Sequence, residues 1–488
     1  MDINTFKRLA ENYKTIPVYK RILADLLTPI SAYMKLMKNS DYAFILESVE
    51  NGEQYGRYSF IGRDPLMILK SEHEKTHIWQ DGDWQEESTS FLSVLRKTQK
   101  KYNVPKLSDI PHFTGGLVGF MGYESITWVE DIPIYKQDEL QCPDALFMLF
   151  HELIAFDHLQ NQIILFSNVQ IENGMDLEQA YTDANLCIDE MGEDLHTDID
   201  YQTPARLEQS KLHSNFTQAK FEDAVQKAKE NIKAGDVFQL VLSQCFRRQT
   251  SVDPLTMYRA LRSINPSPYM FHLKLNDFDI IGASPELLVK VEDDEIEIRP
   301  IAGTRQRGEN AEEDKLLADD LLKDEKERAE HLMLVDLGRN DVGRAAEFDS
   351  VNVKEFMVVE YYSHVMHIVS DVRGKLREGK DVFDALYSGF PAGTLTGAPK
   401  IRAMEIIHDL EPSRRGVYSG AIGYFDFTGD MNTCIAIRTM VMKDGTVYFQ
   451  SGAGIVYDSD PKKEFEETVN KAKAINSAID LAENGLVD

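Results

Sequence analysis

The chain has 488 residues, 43% of them hydrophobic and 27% charged, which is ordinary for a globular protein and enough for a large core. Its formal net charge is −28, which argues against a nucleic-acid or anionic-membrane surface because both need basic patches. An anionic substrate would therefore have to meet local cations, backbone N–H groups or a metal.

In chain order, the opening MDINTFKRLA lacks the apolar stretch of a signal peptide. No later run approaches the roughly 20 apolar residues that cross a bilayer. A strand-rich region comes first. AFILESVE, RYSFIG, LMILKSE, THIWQDGDWQ and NQIILFSNVQ predict short strands, with Asp81-Gly82 as a hairpin turn. A helix is predicted over 176–191. The stretch 192–214 is polar, without sustained period, and reads as a linker or long surface connection. It divides the chain into regions 1–191 and 215–488. In the second region Phe221, Val225, Ala228 and Ile232 form one face of a helix opened by Ser214 or Asn215 and closed near Gly235. VFQLVLSQ alternates as a strand, with Gln239 and Ser243 on one face. ELLVKVEDDEIEIRPIAGT and TCIAIRTMVMKDGTVYFQSGAG each predict a hairpin, the second turned at Asp444-Gly445. Two-residue turns join antiparallel strands. The expected fold class is therefore α+β, with antiparallel sheets packed as a sandwich and helices around them, not a doubly wound parallel sheet. Cys142, Cys187, Cys245 and Cys434 form no CxxC and read as free buried thiols of a cytoplasmic protein.

Two helical segments carry paired carboxylates. Glu327 and Glu330 are three apart in DEKERAEH, and Glu464, Glu467 and Lys471 share a face of KKEFEETVNKAKA. Such pairs suit Mg²⁺, which takes oxygen ligands and leaves positions for substrate. The same pattern also describes a solvated face with ion pairs. Three glycine-containing pieces, at 301–305, 391–400 and 451–454, can bring backbone N–H groups to an anion or simply make turns. No GxxxxGK[ST] or strand-borne GxGxxG is present, so nucleotide binding is not supported. Arg438 lies in the apolar run TCIAIRTMV, where a buried cation needs a partner such as a carboxylate. His367 lies in the apolar run VMHIVS, where a lone histidine is more often a satisfied core residue than a catalyst.

Taken together and in order from Phe216 to Ala474, VFQLVLSQ, NPSPYMF, ASPELL, PIAGTRQRG, KERAEHLMLVDLGRND, PAGTLTGAPK, YSGAIGYF, IAIRT, SGAGIVYDSDP and EFEETVNKA resemble the chorismate-utilising enzyme family. The N-terminal ILES and GRYSFIG extend the resemblance toward the whole chain. It implies that Glu330 and Glu467 hold Mg²⁺ against the ring carboxylate of chorismate, with Glu327 and Glu464 in the same cluster. It assigns Arg438 and Tyr418 to the enolpyruvyl carboxylate, Gly452, Ala453 and Gly454 to a backbone cradle, Gly303 and Thr304 to ring contacts, and Lys471 to a further cation. Glu286 is implied as the acid for the departing C4 hydroxyl and His367 in the later loss of pyruvate, with the Thr394 hydroxyl lining the same pocket.

Two positions discriminate within the family. Members that use water have a lysine base where this chain has Gln239, and aminodeoxychorismate synthases commonly have a lysine where it has Ala302. Both point to the branch that forms anthranilate and pyruvate from chorismate and ammonia, the first committed step of tryptophan biosynthesis. The resemblance also implies a tryptophan inhibitor site at Glu47, Ser48, Pro268, Tyr269 and Met270. None of the four cysteines stands on a Gly-flanked elbow. The ammonia is therefore expected from a separate glutamine amidotransferase subunit in a hetero-oligomer. The competing readings are an aminodeoxychorismate synthase and a catalytically silent tryptophan-binding subunit.

Overall fold

The computed structural model describes residues 1–49, 56–133, 137–199, 206–207, 209–362 and 365–487. Parts of the expected linker (200–205 and 208) and the last residue of AFILESVE lie outside the described residues.

Two twelve-stranded sheets form the centre. Along the main path of the first lie, in spatial order, Thr15–Leu23, Gln162–Gln170, Glu152–Asp157, Tyr58–Arg63, Tyr42–Glu47, Tyr269–Leu275, Asp279–Ser284, Thr439–Lys443, Thr446–Ile455, Gln239–Gln249 and His213–Ser214. The second runs Ile301–Gln306, Val365–Lys375, Glu295–Ile298, Leu287–Glu292, Met431–Ile435, Ala421–Asp426, Gly116–Met121, Ala145–Phe150, Met67–Glu72, Lys75–Gln80 and Asp83–Glu87. The paired strands are antiparallel, as the hairpin turns require. At the turns Asp81-Gly82 and Asp444-Gly445 both residues have positive φ, the geometry of a type I′ hairpin.

The layers are helix, sheet, sheet, helix. Phe44, Phe120, Met148, Phe166, Phe271, Ile280 and Val441 come from both sheets and fill the space between them. Each such side chain contributes about 1.5–3 kcal/mol when fully buried. The outer face of the first sheet is covered by helices including Leu177–His196, Pro254–Ile264 and Pro461–Glu483, which supply Ile188, Leu261 and Ile479. The outer face of the second is covered by helices including Glu325–Ala345 and Val382–Gly389, which supply Val335, Val342 and Phe383. With both faces covered, a strand such as Ala145–Phe150 (ALFMLF) is buried at every residue. Its residues alternate between the inter-sheet layer and the helix-side core.

The two sequence regions share both sheets. Tyr42–Glu47 pairs with Tyr269–Leu275 in the first, and Gly116–Met121 pairs with Ala421–Asp426 in the second. The helix expected to stop at 191 continues to His196, with Asp176 as its N-cap. The first five residues assigned to a linker are therefore its last turn. Beyond it, Leu207 N–H donates to Glu483 O at 2.8 Å, and His213–Ser214 adds a strand to Gln239–Gln249. The helix Gln218–Ala234 ends at Gly235 as expected, but its N-cap is Thr217. Ser214 instead donates to Gln244 and accepts from Phe216 N–H. All four cysteines are free, and Cys142 and Cys187 are only partly buried. No helix among the described residues is long and apolar enough to cross a membrane.

Candidate active site

An antiparallel ribbon leaves one sheet and enters the other. Asp279–Ser284 and Thr439–Lys443 pair in the first sheet. Their continuations, Leu287–Glu292 and Met431–Ile435, pair in the second. The corner is stitched by Ser284 Oγ donating to Ile435 O (2.6 Å), Ile435 N–H to Glu286 O (3.0 Å) and Ala283 N–H to Arg438 O (3.1 Å). Glu286 and Arg438 thus face each other across the corner by topology. The expectation that Arg438 lies inside one apolar strand is corrected. TCI and TMV belong to different sheets, Arg438 sits between them at φ 49°, and it is exposed. The argument from burial therefore does not apply to it.

Glu286 accepts from Thr394 Oγ1 at 3.1 Å. Thr394 is placed by the short 3-10 turn Gly393–Leu395, after which Gly397 and Ala398 pair with Leu240 and Gln239. The PAGTLTGAPK piece therefore joins Gln239 to Glu286. Burial pushes the Glu286 carboxyl up to about 7, against the lowering effects of the Thr394 hydrogen bond and the Arg438 charge. That value suits an acid that gives up a proton near neutrality.

His367 faces the strand Ile301–Gln306 where its register shifts between Ala302 and Thr304. Gly303 is the inserted residue, at φ 66°, as in a glycine bulge. A Cβ there would come within 3.1 Å of Glu327 Oε2 and of Leu321 Cδ1. His367 Nδ1 lies 2.9 Å from Gly303 O and 3.1 Å from Thr304 Oγ1. A carbonyl only accepts, so Nδ1 carries the hydrogen and Nε2 keeps a lone pair. Burial lowers the pKa of this ring, which favours its neutral form.

The carboxylates stand in the first two turns of two helices. Asp324 caps Glu325–Ala345 by accepting from Lys326 and Glu327 N–H, and Asp460 caps Pro461–Glu483 by accepting from Lys463 N–H. Glu327 and Glu464, in the first turns, are favoured by the positive ends of the helix dipoles. Glu330 is open to solvent but lies among protein on several sides. That partial burial, then the charges of Glu327 and Glu467, raise its pKa. Burial, then Glu467, does the same for Glu464. Lys471 Nζ bridges Glu467 (2.8 Å) and Gly452 O (3.0 Å). Arg305 approaches Glu327 at 3.6 Å. Among the described residues no three His, Cys, Asp or Glu side chains converge as a closed metal cage. The oxygen-only, mutually repelling set fits a cation held by one or two carboxylates and completed by substrate and water oxygens, the usual habit of Mg²⁺.

The strand Thr446–Ile455 brings Gly452, Ala453 and Gly454 opposite Ser243, Leu242 and Val241. A Cβ on Gly452 would fall 2.9 Å from Leu242 O and 3.0 Å from Tyr418 Oη, and one on Gly454 would fall 3.3 Å from Gln239 Nε2. The glycines thus place bare backbone between Tyr418 and Gln239. Lys471 links Glu467 to Gly452, while Glu327 lies beside Gly303 and Gly303 beside His367.

The five regulatory candidates meet elsewhere. Met270 pairs with Glu47, and Glu47, Ser48, Pro268, Tyr269 and Met270 line a cavity of about 110 Å³ between the two sheets. Glu47 is held by Tyr258 Oη (2.6 Å) and by Arg262 Nε (3.0 Å). Ser48 Oγ is buried without a hydrogen-bond partner. Sequence reasoning missed Glu124, Glu411 and Arg415, which are buried behind the cleft. Charged residues in polar segments such as EPSRRG read as surface, and nothing local marks them otherwise.

The chain matches the chorismate binding enzyme family over residues 41–477. It is 46% identical to anthranilate synthase component 1 of Aquifex aeolicus over 99% of this chain and 98% of that one. It is 45% identical to that of Acetivibrio thermocellus over 98% of each. Among solved structures, anthranilate synthase component I of Streptococcus pneumoniae superposes with TM-score 0.77 at 39% identity, covering 93% of this chain and 99% of that one. The menaquinone-specific isochorismate synthase of Escherichia coli shares the fold, with TM-score 0.71 at 17% identity and 98% coverage of both chains. Two shared sheets, a cleft at their crossover and end-to-end identity above 40% place this chain in the chorismate binding enzyme family.

Proposed function

We propose that the chain is the chorismate-binding component of an anthranilate synthase, converting chorismate and ammonia to anthranilate and pyruvate. The observation that carries this reading is the identity to component 1 relatives over nearly the full length of both chains. Gln239 and Ala302 in the cleft agree with it, because neither can act as the lysine of the water-using or aminodeoxychorismate-forming members.

In this reading ammonia attacks C2 of the ring as the C4 hydroxyl departs. Glu286, protonated below about pH 7, gives its proton to that oxygen, so water leaves rather than hydroxide. The new ammonium group then returns a proton to the Glu286 carboxylate, which restores both groups to their starting charge. His367 Nε2, with its lone pair free of the Gly303 contact, takes the C2 hydrogen as the enolpyruvyl C–O bond breaks. The bond that breaks is ring C3–O; the group leaves as enolate, takes the proton from the His367 imidazolium on carbon to become pyruvate, and the ring is left aromatic. Arg438 and Tyr418 hold the enolpyruvyl carboxylate, Gly452 to Gly454 offer it backbone, and Gly303 and Thr304 contact the ring. Glu330 and Glu467 would hold Mg²⁺, with Glu327 and Glu464 supporting them. The ion would supply charge neutralisation for the ring carboxylate and so offset the −28 of the chain.

Ammonia is delivered by a glutamine amidotransferase subunit. Burial pushes the thiols of Cys142 and Cys434 up to about 12 and that of Cys187 to about 11, and raises Cys245 further still. None is thereby suited to attack glutamine as a thiolate. Tryptophan occupies the cavity at Glu47 and Ser48 and inhibits. Met270 and Tyr269 on its wall pair with Ala283 and Ser284, two residues before Glu286, which gives the cavity a direct mechanical path to the acid.

The test is direct. The purified chain, given chorismate, ammonium and MgCl₂ at mildly alkaline pH, should form fluorescent anthranilate, and omission of Mg²⁺ with added EDTA should abolish the signal. Consumption of chorismate into another product would refute the assignment, and no consumption would favour the silent regulatory reading.

A further inference from the structure

Behind the cleft stands a guanidinium whose donors are all used. Arg415 is 1% exposed. Its Nε and Nη2 donate to Glu411 Oε2 (2.9 Å) and Oε1 (2.7 Å). Nη1 donates to Leu395 O (2.7 Å) and Ser419 Oγ (3.3 Å), and Nη2 also to Val241 O (2.8 Å). These contacts match the five N–H donors of the side chain. The rings of Tyr123 and Tyr418 flank it, with centroids 4.8 and 5.6 Å from Cζ.

The destinations of these bonds matter more than their number. Leu395 follows Thr394, the donor to Glu286. Val241 lies two residues past Gln239 and opposite Gly454. Ser419 follows Tyr418. Glu411 Oε1 also accepts from Ser243 N–H (2.8 Å) and Oγ (2.7 Å), and Ser243 is opposite Gly452. The N-terminal region contributes Glu124, which accepts from Arg415 N–H (2.8 Å) and Gly416 N–H (3.0 Å). A buried ion pair is a poor source of stability, and packed apolar residues often serve as well or better. A planar fork that ties Leu395 and Val241 to its own stretch 411–419 joins three segments and does what apolar packing does not, because it fixes their mutual register by directed bonds.

We propose that Arg415 is a positioning residue of the cleft, whose guanidinium sets Thr394, Tyr418 and the Gln239 strand in register with one another. The inference rests on the reading of the cleft as a chorismate site. A lysine at 415 keeps the charge but, as a point charge with three donors, cannot span these acceptors.

Arg415→Lys and Glu124→Gln in the full chain, assayed for ammonia-dependent anthranilate formation, test it. Chorismate and ammonium are varied separately, the pH profile of kcat is recorded, and folding is checked by circular dichroism. For Arg415→Lys, chorismate KM should rise about tenfold and kcat/KM fall about 10²-fold, the scale of a displacement of about 1 Å. Ammonium KM should stay within about twofold, and the alkaline limb of kcat should move as the Thr394–Glu286 contact loosens. Glu124→Gln should move chorismate KM in the same direction by less. It carries the test alone if the lysine variant does not fold. Wild-type chorismate KM in a folded Arg415→Lys, with kcat intact or merely scaled down, overturns the proposal. So does wild-type behaviour of Glu124→Gln when the lysine variant is unfolded. An inactive wild-type chain would overturn the proposed function and this inference with it, whereas an active one with unaltered variants overturns this inference alone.

Discussion

Position sets the chemistry of Glu286. Burial at the corner between the sheets raises its carboxyl to about 7, while Thr394 Oγ1 and Arg438 favour the ionised form. In the proposed role as an acid it would work in its protonated form, so kcat at constant free ammonia should fall as pH rises through about 7. Thr394→Val removes a donor that stabilises the carboxylate. The pKa should then rise and the alkaline limb move up by about one pH unit, since a hydrogen bond to a charged group is worth about 1.5 kcal/mol and one unit is about 1.4 kcal/mol. An unmoved limb would assign the titration to another group. Arg438 teaches a different lesson. Its identity and motif were legible, but its environment was not. An apolar run that changes sheets midway looks in sequence like one buried strand.

At the scale of elements, turns and the helix-ending glycine were the most legible features. Asp81-Gly82, Asp444-Gly445 and Gly235 each stand where positive φ is required, and few residues meet that requirement cheaply. The strand Ala145–Phe150 left no such mark. Buried on both faces, it is a continuous apolar run without the alternation that identifies a strand. The strand Thr446–Ile455 carries the sharpest prediction here. Gly452→Ala would set a methyl 2.9 Å from Leu242 O and 3.0 Å from Tyr418 Oη. The tyrosine can swing away, but the backbone oxygen is held in the sheet. Chorismate KM should therefore rise at least about tenfold, equivalent to about 1.4 kcal/mol of binding, with ammonium KM unchanged. Steady-state kinetics with each substrate varied in turn would check this, and a wild-type chorismate KM would remove Tyr418 from the carboxylate site.

At the scale of the molecule, the halves on either side of the 192–214 segment complete each other's sheets. Residues 215–488 alone would leave Tyr269–Leu275 and Ala421–Asp426 without their neighbours Tyr42–Glu47 and Gly116–Met121. Unpaired apolar edges of this kind aggregate. Expressed by itself, this fragment should be insoluble and inactive, and a soluble, active fragment would contradict the shared-sheet account. The cavity at Glu47 and Ser48, the proposed inhibitor site, also needs both halves. Ser48→Phe places a ring where Ser48 Oγ has no partner, in the cavity between the sheets. The half-inhibitory tryptophan concentration should rise at least about tenfold, a loss of about 1.4 kcal/mol, while ammonia-dependent kcat stays within about threefold. Unchanged inhibition would place the tryptophan site elsewhere.

The sequence by itself determined the fold class and the resemblance to the chorismate-utilising enzymes, and it named the candidate side chains proposed for the site. Turn chemistry, hydrophobic period and ordered motifs are local properties, written in neighbouring residues. Tertiary structure decided what depends on contacts between distant segments. It raised the pKa of the Glu286 carboxyl by burying it at a corner, took Arg438 out of a strand, and brought Glu47 beside Met270 and Glu330 within electrostatic reach of Glu467. It also turned three charged residues of unremarked segments, Glu124, Glu411 and Arg415, into a buried network. Burial and pairing are set by what the rest of the chain places against a residue, and no local pattern records that.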